Sequence, residues 1–76
     1  MNGMMNINLL WVVTLSNEHD SFEYNRFQGH RLDNPDRARF IALRNPGYDV
    51  RIENALDPRD YYTHDAVYLQ LIRSPE

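Results

Sequence analysis

The chain contains no cysteine and no lysine, and only three of its 76 residues are glycine. Without cysteine there is no disulfide framework, no thiolate metal ligand and no cysteine nucleophile, which argues against a disulfide-stapled secreted scaffold. The glycines, Gly3, Gly29 and Gly47, lie far apart in the sequence, so they do not form a glycine-rich phosphate-binding loop. These absences favour a protein of the reducing cytoplasm with no nucleotide cofactor.

Long hydrophobic runs are also missing. The most apolar stretch, Ile7 to Val13, is much shorter than the roughly 20 residues that cross a bilayer as a helix. No basic residue precedes it and no small-residue cleavage site follows it, unlike in a secretory signal. We therefore interpret this stretch as a first β-strand and expect no membrane association.

The length indicates a single domain spanning residues 1–76. A chain this short buries only about 60–65% of the surface that its unfolded form exposes, so its core is small. A buried catalytic pocket and a cofactor site would both be hard to fit beside that core. We expect neither an enzyme nor a cofactor, and the oligomeric state, monomer or homodimer, stays open.

The net charge of −3 hides a segregation of charge along the chain. Residues 1–25 hold three acidic residues and no basic one, whereas residues 26–44 hold five arginines against Asp33 and Asp36. The remaining residues, 45–76, hold six acidic residues against three arginines. The middle of the chain is therefore basic on an otherwise acidic protein.

The N-terminal half has the pattern of a β-hairpin. The segment Asn8 to Leu15 is rich in β-branched and aromatic residues, and its two largely apolar faces are typical of a central strand. A turn-forming cluster, SNEHDS, separates it from the second strand, FEYNRF, in which Phe22 and Tyr24 are predicted on one face and Glu23 and Asn25 on the other.

The segment LDNPDRARFIALRNPG has the start and stop signals of a helix. Asn34 is predicted as the N-cap, Pro35 fits the first helical position, and Asn45-Pro46-Gly47 ends the helix. Its spacing predicts an inner stripe of Ala38, Ile41 and Ala42, flanked by Phe40 or Leu43.

The next segment, YDVRIEN, alternates between apolar and polar residues, which predicts a third strand. Tyr48, Val50 and Ile52 are expected to face inward, and Asp49, Arg51 and Glu53 outward.

For the last part of the chain we favour a helical turn capped by Asp57 and a closing strand over 66–73; a continuous helix from Pro58 to Arg73 is the alternative. The resulting fold class is α+β, a β-β-α-β-β domain with one helix packed on an antiparallel or mixed sheet. The predicted core is Trp11, Val13, Phe22, Ile41, Val50, Ile52 and Leu69.

No set of residues has the spacing of a catalytic or metal site. His19, His30 and His64 lack metal-ligand spacing, and the acidic neighbours of His19 in the predicted turn point apart. No serine or threonine lies in a nucleophile motif. The sequence therefore predicts no catalytic residue, no metal ligand and no cofactor-binding residue.

The run SNEHDSFEYNRF, followed by a helix and then NPGYDVRIEN, resembles the small coliphage-encoded inhibitor family of bacterial RNA polymerase. The likeness covers residues 12–53: the family has a similar serine-glutamate-histidine-serine-phenylalanine-glutamate run, to which this chain adds one residue, Asp20, in the turn, and a glycine-aromatic-acid-valine strand after the helix. Two arginines of the family's third strand are associated with polymerase binding, and Ile52 and Asn54 occupy those positions here. In size and architecture the chain is also similar to small phage anti-CRISPR proteins.

These features lead to a functional expectation. The leading hypothesis is a phage or mobile-element inhibitor that binds a host nucleic-acid machine, a CRISPR effector complex or RNA polymerase. The alternatives are a small regulator that binds nucleic acid through an arginine-bearing helix (Arg37 and Arg44) and a structural phage accessory subunit. The expected protein-binding residues are Glu18, Asp20, Glu23, Asp49, Arg51, Glu53, Tyr61 and Tyr62.

Overall fold

The computed structural model describes residues 8–68, which form one four-stranded sheet and one α-helix. The elements along the chain are β1 (Asn8–Ser16), β2 (Ser21–His30), a 3₁₀-helix (Arg31–Asp33), α1 (Asn34–Arg44), β3 (Asp49–Asn54) and β4 (Asp57–His64). The strands lie in the order β2-β1-β3-β4, and every neighbouring pair is antiparallel. The α+β class and the β-β-α-β-β chain order are thus confirmed, and the sheet is antiparallel rather than mixed.

Strand β1 lies inside the sheet, as its apolar pattern predicts. Its residues Trp11, Val13 and Leu15 are buried against α1, and Leu9 packs against the same core. The indole Nε1 of Trp11 donates a hydrogen bond of 3.0 Å to the backbone carbonyl oxygen of Gly29 on β2. This bond satisfies the polar group of the largest buried side chain.

Helix α1 packs through residues spaced four apart, of which Asn34, Ala38 and Ala42 are buried. Ile41 is only half-buried, and Phe40 and Leu43 are exposed. The prediction of Asn34 as N-cap is wrong by one residue. The 3₁₀-helix precedes α1 directly, so Asp33 takes the N-cap position without a side-chain cap bond and Asn34 is the first helical residue.

A β-bulge in β2 changes the predicted facing of its residues. Val13 pairs with Asn25 and Thr14 pairs with Glu23, so Tyr24 is the extra residue. Asn25 therefore shares the helix side of the sheet with Phe22, contrary to simple alternation. Phe22 was expected in the core but is 43% exposed, because it lies near the turn end of β2, an edge strand of the sheet, where its ring packs edge-on against Tyr48 with 5.7 Å between the centroids.

Strand β3 confirms its alternation, since Val50 and Ile52 are buried and Asp49 is exposed. The predicted helical turn and the alternative helix are both wrong over Asp57–His64, which forms β4 and pairs with β3. Its Pro58 is tolerated because β4 is an edge strand. The predicted closing strand is absent from residues 65–68, and its remainder, with Leu69, lies outside the described residues.

Within residues 8–68, no helix is both long enough and apolar enough to cross a membrane.

Candidate protein-binding surface

The face of the sheet opposite α1 carries a row of charged residues across its strands; we call it the open face. Thr14 of β1 pairs with Glu23 of β2 on one side and with Arg51 of β3 on the other. Because directly paired residues of neighbouring strands share a face, these three side chains lie on the same face of the sheet. Val12 pairs in the same way with Arg26 of β2 and Glu53 of β3, which places these residues on that face too. The expected outward residues Glu23 of β2 and Arg51 and Glu53 of β3 therefore lie on one surface with β1 between them, whereas Asn25 lies on the helix side.

The charges of the open face neutralise one another. The Nε atom of Arg26 donates to Glu23 Oε2 at 2.8 Å, and the Nε atom of Arg51 donates to Glu53 Oε1 at 2.9 Å. The hydrogen bond from Arg26 holds the pKa of Glu23 below its ordinary value. The guanidinium of Arg51 also lies 4.0 Å from the ring centroid of Tyr61 on β4. The open face is therefore a balanced surface with an exposed aromatic ring.

The acidic side chains between positions 8 and 68 divide into two groups, according to whether they have an arginine partner. Six have an arginine as ion-pair partner: Glu23, Asp33, Asp36, Glu53, Asp57 and Asp60. The other four have no arginine partner in this part of the chain: Glu18, Asp20, Asp49 and Asp65. Of the predicted binding residues, three belong to this second group.

All four acidic residues without an arginine partner lie at one end of the sheet, which we call the acidic end. Ser16 pairs with both Ser21 and Asp49, which brings the β1–β2 turn beside the start of β3. Asp65 directly follows His64, the last residue of β4. His64 pairs with Val50, the neighbour of Asp49 on β3. Among residues 8–68, the carboxylates that no arginine neutralises are thus concentrated at this end.

The β1–β2 turn holds the acidic residues in a defined conformation. The side-chain oxygen of Asn17 accepts hydrogen bonds from the backbone N–H groups of His19 at 2.8 Å and Asp20 at 2.7 Å. The N–H of Asn17 donates to the carbonyl oxygen of Asp20 at 2.8 Å. This asparagine-centred turn fixes the backbone without using the carboxylates of Glu18 or Asp20, which stay available to a partner.

An open cleft of about 630 Å³ lies at the acidic end. Its lining includes Glu18, His19 and Asp49, together with Ala66 and Tyr68. The carboxylate of Asp49 accepts a hydrogen bond of 2.6 Å from the backbone N–H of Ala66, so the segment after β4 is tied to β3 at this point. The cleft therefore joins residues from three separate parts of the sequence.

The two adjacent tyrosines of β4 have different surroundings, as neighbours along a strand must. Tyr61 is 52% exposed and contacts Arg51 on the open face. Tyr62 is half-buried and packs against the hydrophobic core on the helix side. The structure thus gathers Glu23, Arg51, Glu53 and Tyr61 on the open face, and Glu18, Asp20 and Asp49 at the acidic end, whereas Tyr62 belongs to neither surface.

Two other residues of these surfaces were not singled out from the sequence. Arg26 reaches Glu23 only because the bulge at Tyr24 puts both on the open face, and Asp65 reaches the acidic end only because β4 pairs with β3. Strand pairing rather than local pattern places them. The spacing of Glu23 and Arg26 by three would have indicated opposite faces in a regular strand.

The helix arginines are partly occupied by contacts within the protein. The guanidinium of Arg37 lies 4.3 Å from the ring centroid of Phe27 and covers Gly29, where an added Cβ would be 2.5 Å from Nη2 of Arg37. Arg44 lies 4.6 Å from the ring centroid of Phe40. Arg37 therefore packs on the sheet, and Gly29 permits this close approach.

Over residues 8–68, no three histidine, aspartate or glutamate side chains are close enough together to hold a metal ion. Comparison with known proteins found no matching family model, no matching curated protein and no matching solved structure.

Proposed function

We propose that this chain is an inhibitor protein that binds a host nucleic-acid machine and covers part of its basic, nucleic-acid-binding surface. The observation that carries the proposal is the concentration, at the acidic end, of four carboxylates that have no arginine partner within residues 8–68. A protein that holds nucleic acid presents rows of basic side chains, and complementary charge accelerates and orients association with such a surface. The chain acts by binding and not by catalysis.

The open face adjoins the acidic end and supplies the rest of the interface. Ser16 and Asp49 lie where the two surfaces meet. Away from that boundary, Leu10 and Tyr61 add exposed apolar and aromatic area. Because the open-face carboxylates already have arginine partners, we assign the attraction to the acidic end and the close packing to the open face.

The resemblance of residues 12–53 to the coliphage inhibitors of RNA polymerase, and the similarity in type to small anti-CRISPR proteins, support two candidate targets. A CRISPR effector complex is the first and bacterial RNA polymerase is the second. Ile52 stands where the polymerase-inhibitor family has one of its two binding arginines, and it is fully buried here. Any contact with polymerase by this chain would therefore use other residues, and this favours the CRISPR effector.

The target is tested by affinity capture from bacterial lysates that contain or lack a CRISPR effector complex, with mass spectrometry of the bound proteins. We expect effector subunits to be enriched from the first lysate, or RNA polymerase subunits from both. A variant with Glu18→Lys and Asp20→Lys should lose the captured complex, because both changes lie at the acidic end and neither removes a hydrogen bond of the turn. Enrichment of neither complex would contradict the proposal.

A further inference from the structure

The outer edge of strand β2 pairs with no other strand within residues 8–68. β2 is the first strand in the order β2-β1-β3-β4, and its ten residues, Ser21–His30, pair with β1 alone. Its outer backbone groups therefore form an edge of the sheet, where a further strand can pair. The first six residues of β2 are all exposed, so this edge is accessible.

The backbone groups that point outward belong to the open-face residues of β2. Along a strand, the N–H and C=O groups alternate in direction together with the side chains. The carbonyl oxygen of Leu10, an open-face residue of β1, accepts a hydrogen bond of 2.9 Å from the N–H of Ala55, which follows β3. The open-face residues of β1 therefore point to β3, and its helix-side residues bond to β2. On β2 this leaves the open-face residues Glu23 and Arg26 pointing away from β1, and the N–H of Arg26 donates instead to Asn25 Oδ1 at 2.8 Å.

The bulge at Tyr24 makes a second copy of this chain a better match for the edge than a regular strand. Successive outward-pointing residues of a regular strand lie two positions apart, but Glu23 and Arg26 lie three apart because Tyr24 is inserted between them. A regular strand placed along this edge loses register at that point. An antiparallel second copy carries the same insertion, and a two-fold axis between Tyr24 and Asn25 sets the two bulges opposite each other.

The charges in this two-fold register are complementary. Glu23 of each copy faces Arg26 of the other, and both residues lie on the open face. Directly opposed side chains of opposite charge stabilise an antiparallel strand pair. Within one copy the same two side chains form an ion pair of 2.8 Å, so the axis brings two such pairs together with their charges alternating. β2 has no other aspartate, glutamate, lysine or arginine, so its edge has no excess charge that repels a second copy.

Aromatic side chains face each other on the helix side in the same register. Phe22 of each copy lies opposite Phe27 of the other, and both pair with buried residues of β1. Because their backbone groups point to β1, they form a non-hydrogen-bonded pair across the two copies, the kind in which side chains lie closest. Tyr24, 40% exposed, and Phe40, 57% exposed, line a cleft of about 310 Å³ beside this edge. Association there covers aromatic surface that is exposed in the single chain.

We propose that two copies of this chain associate through β2 in this antiparallel register. Their two four-stranded sheets then form one continuous sheet with both helices on the same face. Because the paired strands run in opposite directions, the two acidic ends lie on opposite sides of the two-fold axis. The association does not depend on the proposed function, since the partner is the chain itself.

The test uses two variants of the whole chain, Glu23→Arg and Arg26→Glu. Sedimentation equilibrium from micromolar to millimolar concentration should show a dimer for the unchanged chain. In each variant like charges face each other across the axis, so dimerisation should weaken at least about tenfold. An equimolar mixture of the two variants should form a heterodimer, which native mass spectrometry identifies by its mass. In that mixture the arginine introduced at position 23 faces the glutamate introduced at position 26, and the retained Arg26 faces the retained Glu23.

Two control variants make the same changes in charge away from the edge. Asp36→Arg and Arg39→Glu alter an exposed ion pair of α1 that does not line the cleft beside β2. Each should dimerise as strongly as the unchanged chain. The mixture also controls for misfolding, because two misfolded variants would not form a heterodimer of defined mass.

A pair of introduced cysteines tests the register itself, since the chain has no cysteine of its own. Ser21 of one copy faces Gln28 of the other, and both are exposed. Opposed residues of a hydrogen-bonded pair have Cα atoms about 5.5 Å apart, within the range of a disulfide. Ser21→Cys with Gln28→Cys should therefore give a disulfide-linked dimer on oxidation, and Ser21→Cys alone should not. The two positions of one chain lie about 23 Å apart along the strand, at about 3.3 Å per residue, so they do not link within a copy.

Four results would overturn the proposal: an unchanged chain that stays monomeric to millimolar concentration, a dimer that both charge variants leave as strong, a mixture without heterodimer, or a cysteine pair that does not link. The second would place the contact on another surface. Charge reversal at Glu18 and Asp20 tests the proposed function separately, because its readout is capture of the target and not self-association. Either test can therefore fail while the other succeeds.

Discussion

Replacement of Ile52 by alanine should destabilise the fold strongly. Ile52 is fully buried, and it lies between Val13 of β1 and Tyr62 of β4 in the register of the sheet. Truncation of a buried isoleucine costs about 2–5 kcal/mol, since the neighbours do not fully close the cavity. A domain of this length has a total stability of about 4–11 kcal/mol at 0.05–0.15 kcal/mol per residue. The substitution should therefore remove about half of it.

Urea unfolding followed by tryptophan fluorescence measures this loss. The chain has one tryptophan, Trp11, which is fully buried, so its emission reports directly on exposure of the core. With a urea dependence of about 1–3 kcal/mol per molar, the midpoint of Ile52→Ala should fall by about 1 M or more. The slope itself should stay unchanged if only the native state is affected.

Two matched variants make the result interpretable. Ile52→Val removes one methylene group and should cost only about 0.5–1.5 kcal/mol. Leu56→Ala removes a larger apolar group, but from a residue that is 88% exposed, so its effect should stay within about 0.5 kcal/mol. If Ile52→Ala had the same midpoint as Leu56→Ala, the assignment of Ile52 to the core between α1 and the sheet would be refuted.

Three further predictions concern ionisable and polar residues. Hydrogen bonds from Arg31 and then Asn54 hold the pKa of Asp60 below its ordinary value of 3.8. The stability that these bonds contribute is present above that pH and is lost as the pH falls through the lowered pKa. Asp60→Asn should therefore weaken the acid dependence of the urea midpoint below about pH 4, and an unchanged dependence would contradict this. Asn34→Ala should raise the free energy of unfolding of the isolated chain by about 1–3 kcal/mol, because it removes a buried unpaired oxygen, and a lower urea midpoint would show that the oxygen has a partner. Measured by fluorescence anisotropy, binding to duplex DNA should be negligible both for the unchanged chain and for the variant with Arg37→Ala and Arg44→Ala. Micromolar binding by the unchanged chain that falls steeply with salt and disappears in the variant would instead support direct nucleic-acid recognition.

The parts of the fold that the sequence predicts well are those where one local pattern agrees with the tertiary contacts. Strand β1 is apolar on both faces and lies inside the sheet, and the strict alternation of β3 matches the burial of Val50 and Ile52. The helix was placed correctly because Pro35 and Gly47 mark its ends. In each case, composition and position in the fold favour the same structure.

The errors arise where pairing between strands overrides local pattern. Asp57 and Pro58 are typical of a helix start, yet the segment forms β4 because the exposed edge of β3 is available to pair with it. The bulge at Tyr24 has no local signal, and it decides that Arg26 pairs with Glu23. For the candidate surfaces, the sequence therefore indicated the charged residues of the turn and of β3, but not that they form two separate groups, one paired with arginines and one without an arginine partner.

The central claim is that the carboxylates of the acidic end, which have no arginine partner within residues 8–68, attract the target. It is tested most directly by measuring inhibition of a purified CRISPR effector complex and of RNA polymerase by the unchanged chain and by two double variants. Glu18→Lys with Asp20→Lys reverses charge at the acidic end, and Asp36→Lys with Asp57→Lys makes the same change in net charge elsewhere, at residues paired with Arg39 and Arg59. We expect inhibition of one of the two machines to fall at least tenfold (about 1.4 kcal/mol) in the first variant and to be kept in the second. Equal inhibition by the unchanged chain and the first variant, with both folded, would contradict it.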